Sequence, residues 1–419
     1  MRVDLRYGEG SLSFELDTSA EFVVSHTVDE HPNVAAELLR VLENPRDSNS
    51  FSEILSQADS VSIVVNPTEN TEHDQRMLHF LLNSVETYSF NPDEVTVIYP
   101  VNPLRRTSSS EIDGLLGSPE SRGHSLVLHN PKSSETLDFV GETPSYSTSV
   151  FVNNRFLQAD ITIGFGVIRP DVFAGATGGR MSVLPYVSGN KTVTQNARLR
   201  TMQNSRPFSL DTPSCIDMVE ASQLCGLDFI VNYVSDYQGN VANIYAGNPY
   251  SSWQAGVEIA EKLSCAEFSR RADIAVVSAG GSPHDGTLYS AIDCTYAARE
   301  VTENGGAIVL VAECIDGIGP KGFLRGLSDF SSEEEVIRAS DTDYEFGFEK
   351  ARLFWNIISS RNLVICSRLR SSLVEEQLHC TAVRNPQDGF EAAKSMLASK
   401  RKIAIIPDGI RTVPQFKNH

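Results

Sequence analysis

The segment Arg169-Pro-Asp-Val-Phe-Ala-Gly-Ala-Thr-Gly-Gly-Arg-Met-Ser-Val-Leu-Pro-Tyr186 carries three closely spaced glycines and follows the apolar run 161–168. A strand that runs into clustered glycines can close its backbone N–H groups around an anion. Arg180 and Ser182 would add side-chain donors for phosphate or a nucleotide. The same glycines also fit a purely structural tight turn. Both interpretations remain open from the sequence.

Charge and length limit the class of protein. The chain has 419 residues and a net charge of −19, from 54 acidic against 35 basic residues. This length favours two domains, and the negative field disfavours nucleic acid and anionic membranes as partners. We find no run of the roughly 18–20 apolar residues that span a bilayer and no apolar signal core, and we therefore expect a cytoplasmic protein.

An anionic small molecule is the partner that we expect, and it would need a local basic pocket. The sequence offers Arg105, Arg106 and Arg180 for that pocket. The seven cysteines are scattered and include no C-x-x-C pair, which favours free thiols over a metal–thiolate site. We predict no metal ligands and make no prediction of oligomeric state.

Strand and helix patterns alternate along the whole chain, which is typical of doubly wound α/β domains. We predict an N-terminal α/β domain over 1–268, closed by a long helix at 253–268, and a C-terminal α/β domain over 269–419. Both should have mostly parallel sheets. Ligands bind beyond the carboxyl ends of such strands, so the loops there should form a cleft between the domains. The predicted parallel strands are 60–65, 95–99, 160–167, 228–233, 272–277, 307–311, 362–366 and 402–406.

Three long motifs in order carry a resemblance to a known family. They are Val172-Phe-Ala-Gly-Ala-Thr-Gly-Gly-Arg180, Ser278-Ala-Gly-Gly-Ser-Pro283 and Gly305-Gly-Ala-Ile-Val-Leu-Val-Ala-Glu-Cys-Ile-Asp-Gly317. The chain resembles the nickel-pincer lactate racemase family over its whole length. The resemblance implies two α/β domains around a cleft, which in active members holds nickel in a pyridinium-derived, sulfur-bearing mononucleotide.

The resemblance also implies a set of reactive side chains, and this chain departs from it. The family's cofactor-carrying lysine corresponds to Met181, and its nickel-ligating histidine to Ala197. The two histidines that act as opposed acid and base correspond to Leu104 and Asp171. Racemisation needs a base on each face of the substrate, and of these four positions only Asp171 keeps an ionisable group.

Two supporting positions depart from the family as well. The expected Asp-x-x-Arg reads Asn66-Pro-Thr-Glu69, and the lysine expected after Tyr289 is Asp293. Carboxylates at 69, 171 and 293 near one cleft would repel a hydroxy-acid carboxylate, each contact costing a few kcal/mol at about 4 Å in a partly dry site. The sequence thus disfavours lactate as the substrate.

The candidate site residues follow from the motifs and the resemblance. The catalytic candidates are Asp171, for which a loop cap is the alternative, and His284, for which a surface loop is the alternative. The substrate-binding candidates are Asn66 and Arg105. The cofactor-binding candidates are Gly175, Thr177, Gly178, Gly179, Arg180, Ser182 and Tyr289.

Three hypotheses on function remain open. In the first, the protein is a divergent family member that binds a nucleotide-like or organic-acid ligand in the cleft without nickel-pincer chemistry. In the second, it is an active racemase or epimerase of a 2-hydroxy acid that uses Asp171 or His284 and a non-covalently held nickel-pincer nucleotide. In the third, it is a non-enzymatic scaffold or regulatory protein. A cofactor is expected only under the second hypothesis.

Overall fold

The computed structural model describes residues 1–66, 72–87, 91, 94–101, 109–116, 123–203, 206–397 and 401–417. The strands are β1 (Arg2–Tyr7), β2 (Gly10–Glu15), β3 (Glu21–Phe22), β4 (Val61–Val65), β5 (Val95–Pro100), β6 (Ser125–His129), β7 (Leu137–Glu142), β8 (Ser149–Asn153), β9 (Ile161–Ile168), β10 (Pro170–Asp171), β11 (Gly175–Ala176), β12 (Phe229–Ser235), β13 (Val241–Gly247), β14 (Cys265–Phe268), β15 (Ala272–Ser278), β16 (Thr302–Val311), β17 (Asn362–Cys366), β18 (Thr381–Val383), β19 (Ile403–Ile406) and β20 (Val413–Phe416). The helices are α1 (Val34–Glu43), α2 (Phe51–Leu55), α3 (Glu72–Glu86), α4 (Ser109–Leu116), α5 (Asn154–Leu157), α6 (Asn190–Leu199), α7 (Pro213–Cys225), α8 (Pro249–Ser264), α9 (Leu288–Ala291), α10 (Thr295–Val301), α11 (Lys321–Ser328), α12 (Glu333–Thr342), α13 (Phe348–Ile358) and α14 (Pro386–Ser395).

Two six-stranded sheets organise the described residues. The first has the order β13-β12-β9-β4-β5-β6 and is parallel except for the antiparallel edge strand β13. The second has the order β18-β17-β16-β15-β19-β3 and is parallel throughout. The predicted pair of α/β domains with mostly parallel sheets is therefore confirmed. Within the described ranges, no helix combines the length and apolarity that crossing a bilayer requires.

Both faces of each sheet are covered. Val61, Ile63 and Val65 of β4 enter one hydrophobic cluster, and Val64 of the same strand enters the cluster on the opposite face. In the second sheet, successive residues of β15 likewise belong alternately to two hydrophobic clusters, one on each face. A parallel strand buried on both faces must be apolar at successive positions, which explains why these strands read as continuous apolar runs.

The N-terminal segment packs against the second sheet. β1 and β2 form an antiparallel hairpin, whose Leu5 and Phe14 share a cluster with Ile274 and Val276 of β15. β3 then pairs with β19. The domain boundary after residue 268 stays a prediction, but these contacts associate the first 22 residues with the second sheet.

The predicted helix at 253–268 is wrong in its bounds. The helix α8 begins at Pro249, where Asn248 accepts hydrogen bonds from the N–H groups of Tyr250 and Ser251, and it ends at Ser264. Asparagine followed by proline is a strong signal for the start of a helix. The prediction relied on apolar periodicity alone and therefore missed this start. Residues 265–268 form β14, which pairs with β20 near the C-terminus.

The glycine-rich loop after β9 packs directly on α8. The indole N–H of Trp253 donates to the carbonyl of Thr177 at 2.8 Å, and Gly179 has a φ of +53°, with any added Cβ lying 2.7 Å from Cγ of Trp253. Close packing and a left-handed backbone both require glycine here. The loop is thus fixed by its contact with a fully buried tryptophan.

We expect Gly179→Ala to lower the free energy of unfolding by about 2–4 kcal/mol, because it adds overpacking against Trp253 to the strain of a positive φ. Urea unfolding of the full chain measures the loss. The control is Gly226→Ala, since Gly226 has a φ of +70° but nothing within 4 Å of an added Cβ. It should cost only about 1 kcal/mol. Equal losses for the two variants would contradict the packing argument.

Candidate functional site

The predicted cleft lies where the carboxyl ends of the two sheets meet, and its volume is about 690 Å³. Tyr99, His129 and Arg169 line it from the ends of β5, β6 and β9, while His284 and Asp316 follow β15 and β16. This volume lies within the range of small-molecule sites in proteins.

The cleft is locally basic in an acidic chain. Its described lining has five cationic side chains and three carboxylates. The cations are Lys132, Arg169, Arg200, Lys321 and Lys350, and the carboxylates are Asp171, Asp293 and Asp316. A cationic cavity in a protein with a net charge of −19 concentrates small anions.

Two of the residues predicted to bind an anion do not line the cleft. The buried guanidinium of Arg180 lies 3.9 Å above the ring of Trp253 and donates to the carbonyl of Ala174 and the Sγ atom of Cys215. Burial lowers the pKa of Arg180. Ser182 is buried too, beside Gly164 of β9. Arg105 and Arg106 lie outside the described residues.

The loop's backbone donors are largely used within the protein. The N–H of Thr177 donates to the carbonyl of Arg169, that of Gly179 to Oδ1 of Asn232, and that of Met181 to the carbonyl of Gly178. These internal hydrogen bonds favour the structural interpretation of the loop over an anion cradle.

The predicted cofactor residues divide into two groups. Thr177 and Tyr289 line the cleft. Gly175, Gly178 and Gly179 pack against the protein interior, where an added Cβ would lie within 3 Å of neighbouring atoms. Thr177 and Tyr289 therefore line the same cavity, whereas the three glycines lie in the protein interior.

Asp171 lines the cleft and caps its own loop. Its Oδ1 atom accepts hydrogen bonds from the N–H groups of Phe173 at 2.9 Å and Ala174 at 2.7 Å. Burial acts to raise the pKa of Asp171, but Arg200, the Ala174 N–H and Arg169 outweigh it and the pKa is lowered. A general base works best with a pKa near the working pH, so this environment favours a permanent carboxylate over a proton acceptor.

Two histidines line the cleft, of which the sequence indicated only His284. The second is His129 at the end of β6, whose Nε2 lies 3.0 Å from the carbonyl of Ser188 and whose Nδ1 lies 3.1 Å from Nδ2 of Asn153. Because the Ser188 carbonyl can only accept a hydrogen bond, Nε2 carries the ring proton. Because the Asn153 amide donates, Nδ1 is the unprotonated nitrogen. Burial lowers the pKa of His129. Its position at a strand end was the signal that sequence reasoning missed.

A buried polar network forms the opposite wall. The hydroxyl of Tyr289 donates to Oε1 of Glu349 at 2.7 Å. The ammonium of Lys350 donates to the carbonyl of Tyr289 at 2.9 Å and to Oδ2 of Asp293 at 2.7 Å. Burial raises the pKa of Asp293, and Lys350 opposes that effect. Lys350 was not among the predicted site residues. The signal that could have identified it is a lysine that stands between the apolar residues of a helix.

The remaining candidates lie apart from the cleft or outside the described residues. Asn66 is buried at the end of β4, where its N–H donates to the carbonyl of Phe165, and it is not part of the cleft lining. Met181 lines the cleft, whereas Ala197 is buried within α6. Leu104, Arg105 and Glu69 fall outside the described residues.

Comparisons with known proteins agree on the family. The lactate racemase N-terminal domain matches residues 7–208, and the lactate racemase C-terminal domain matches residues 268–413. A lactate racemase from Thermoanaerobacterium thermosaccharolyticum is 24% identical over 427 residues, with 99% of each chain covered. A lactate racemase from Lactiplantibacillus plantarum is 24% identical, with 98% of this chain and 99% of the relative covered.

Solved structures share the fold. The lactate racemase apoprotein from Thermoanaerobacterium thermosaccharolyticum superposes with a TM-score of 0.85 at 22% identity, covering 99% of this chain and 100% of that one. A crystal structure of a protein from Thermotoga maritima has a TM-score of 0.69 at 15% identity, covering 93% of this chain and 100% of that one.

We expect His129 to make the protein sensitive to acid. Its pKa is lowered in the folded state, so the unfolded chain binds the extra proton first, and stability is lost as the pH falls below about 6.5. His129→Gln keeps a donor and an acceptor but does not titrate. Its free energy of unfolding should therefore fall less between pH 7.5 and pH 5.5 than that of the wild type. The exposed His26→Gln is the control; identical pH profiles for all three proteins would refute this role.

Proposed function

Because the chain belongs to the lactate racemase family, we propose that it uses the interdomain cleft to bind a small anionic ligand, an organic acid or a nucleotide-like molecule, without nickel-pincer chemistry. The observation that carries this proposal is the excess of cations over carboxylates in the cleft lining of a chain with a net charge of −19. Cations that line one cavity repel each other, and a bound anion would reduce that repulsion.

Arg200 gives the proposal a specific donor. It follows α6 at the edge of the cleft, and its Nη2 atom donates to Oδ1 of Asn196 at 3.2 Å. Its buried Nε–H has no acceptor among the described residues. The Arg200 side chain also lines the cavity, so its guanidinium can donate a charged hydrogen bond to a ligand oxygen there.

The residues present do not fit the nickel cofactor that the family resemblance implies. Met181 lines the cleft at the position of the carrier lysine, and a thioether has no amine for a covalent link. Ala197, at the position of the nickel ligand, offers only a methyl group and is buried. In the described ranges, no group of three or more His, Cys, Asp and Glu side chains could hold a metal ion. We therefore derive no reaction step through nickel.

The acid–base groups also favour binding over racemisation. Asp171 is held as a capped carboxylate with a lowered pKa. His129 is fixed as a neutral imidazole by partners on both ring nitrogens. Racemisation needs two groups that exchange protons from opposite faces of one carbon, and these two residues are each committed to structural hydrogen bonds.

We expect the purified protein to contain nickel far below one equivalent and to lack the absorbance of a bound pyridinium thioamide, because the covalent carrier and the imidazole ligand are replaced. Elemental analysis and a visible spectrum of the protein as isolated measure both. A racemisation assay with D- and L-lactate should show no conversion, with the Lactiplantibacillus plantarum relative as the positive control. Stoichiometric nickel, or conversion of either lactate, would instead establish an active racemase.

Ligand binding is expected to raise the thermal stability of the protein. A ligand at 100 times its Kd adds about 2.7 kcal/mol to the stability of the native state, so a screen of hydroxy acids, keto acids and nucleotides should identify binders. Arg200→Gln should weaken the affinity of a binder about tenfold or more, since it removes a charged hydrogen bond. The matched control is Arg198→Gln, an exposed residue of α6 two positions before Arg200. If no compound shifts the transition, the scaffold hypothesis is favoured.

A further inference from the structure

Lys350 has a position in the cleft wall that no structural role fully explains. It belongs to α13 of the second α/β unit, its side chain is 10% exposed, and it lines the same cavity as Arg200. Lysine is almost never buried to this extent without a set of partners. Its ammonium lies 4.3 Å from the ring centre of Tyr289, which adds a cation–π contact.

Hydrogen bonds within the protein use two of the N–H groups of the Lys350 ammonium and leave the third unused. An ammonium has three N–H groups. One donates to the carbonyl of Tyr289 at 2.9 Å and one to Oδ2 of Asp293 at 2.7 Å. The third has no acceptor among the described residues. The two contacts fix the ammonium against the wall, and the remaining N–H is the group that a ligand in the cleft can satisfy.

We propose that Lys350 is the residue by which the cleft recognises a carboxylate group of its ligand, with Asp293 and Tyr289 as its positioning residues. This inference rests on the proposed function and specifies the ligand as an organic acid. Arg200 and Lys350 come from different α/β units, so an acid that contacts both would connect the two walls of the cleft.

The surroundings favour a carboxylate over a phosphate. One free N–H matches one carboxylate oxygen, whereas a phosphate needs several converging donors. The backbone N–H groups of Thr177, Gly179 and Met181 that could have supplied them donate within the loop. Asp293 and Asp171 also line the cavity, and their repulsion is larger for a dianion than for a singly charged carboxylate.

Apolar contacts define the rest of the ligand. Met181, Phe346 and Val193 line the cavity together with these charges. Its volume of about 690 Å³ is larger than a three-carbon acid fills. A carboxylate that carries an apolar or aromatic body therefore fits this wall better than lactate does.

The test compares the full-length protein with a variant that removes the ion pair as a unit, Lys350→Met/Asp293→Asn, because Lys350→Met alone would leave a buried carboxylate unpaired. Isothermal calorimetry with sodium mandelate, sodium phenyllactate, inorganic phosphate and the nucleotide AMP measures the affinities. The double variant should bind the carboxylates at least about tenfold more weakly. The control Lys394→Met/Glu391→Gln removes an exposed pair on α14 and should retain wild-type affinity.

The single variant Asp293→Asn should change the affinity for carboxylates in the opposite direction. The amide that replaces the carboxylate can still accept from Lys350, but a like charge is removed, so carboxylates should bind more tightly than to the wild type, by about threefold or more. A purely structural Lys350 predicts no loss of affinity in the double variant, and that result would overturn the inference while leaving the proposed function intact. Binding of phosphate or nucleotides with no carboxylate binding would also overturn it alone. Absence of binding by every compound would overturn both.

Discussion

The structure depends on one constraint of parallel β-sheets, namely that all strands of a sheet end at the same edge. Two such sheets contribute to one cavity here, which the segments that follow β5, β6, β9, β15 and β16 all reach. Residues far apart in the chain, such as His129, Asp171 and His284, thereby line a common cleft. Because the sheets are buried on both faces, the loops at the strand ends are where sequence can change without loss of the fold.

The glycine-rich loop holds its conformation through contacts within the protein. Its conformation is fixed by Trp253, Asn232 and its own backbone, none of which depends on a bound group. Met181 occupies the cleft wall from this loop, and the methionine is tolerated because the loop does not need a ligand to hold its shape. The shape of the loop is therefore compatible with the proposed absence of nickel-pincer chemistry.

The carboxylates of the cleft lie near cationic side chains. Carboxylates stand at Asp171 and Asp293, which by themselves would repel an acid, yet cations offset both charges: Arg200 and Arg169 lower the pKa of Asp171, and Lys350 forms an ion pair with Asp293. The pairing leaves Arg200 and Lys350 each with a donor that has no acceptor among the described residues. Because the neighbouring cations compensate the charges of Asp171 and Asp293, these carboxylates do not by themselves exclude an organic-acid ligand.

The sequence by itself determined the α/β class, the parallel strands and the family, because continuous apolar runs, glycine motifs and their order are local properties of the chain. It also proposed Asp171, Thr177, Tyr289 and His284 as site residues, and all four line the cleft. Only the tertiary structure decided which cations line the cavity: Arg180 turns onto Trp253, while Arg200 and Lys350 line the cavity together with the neutral His129. The physical reason is that a side chain's direction is set by packing between elements distant in sequence, on which local periodicity carries no information.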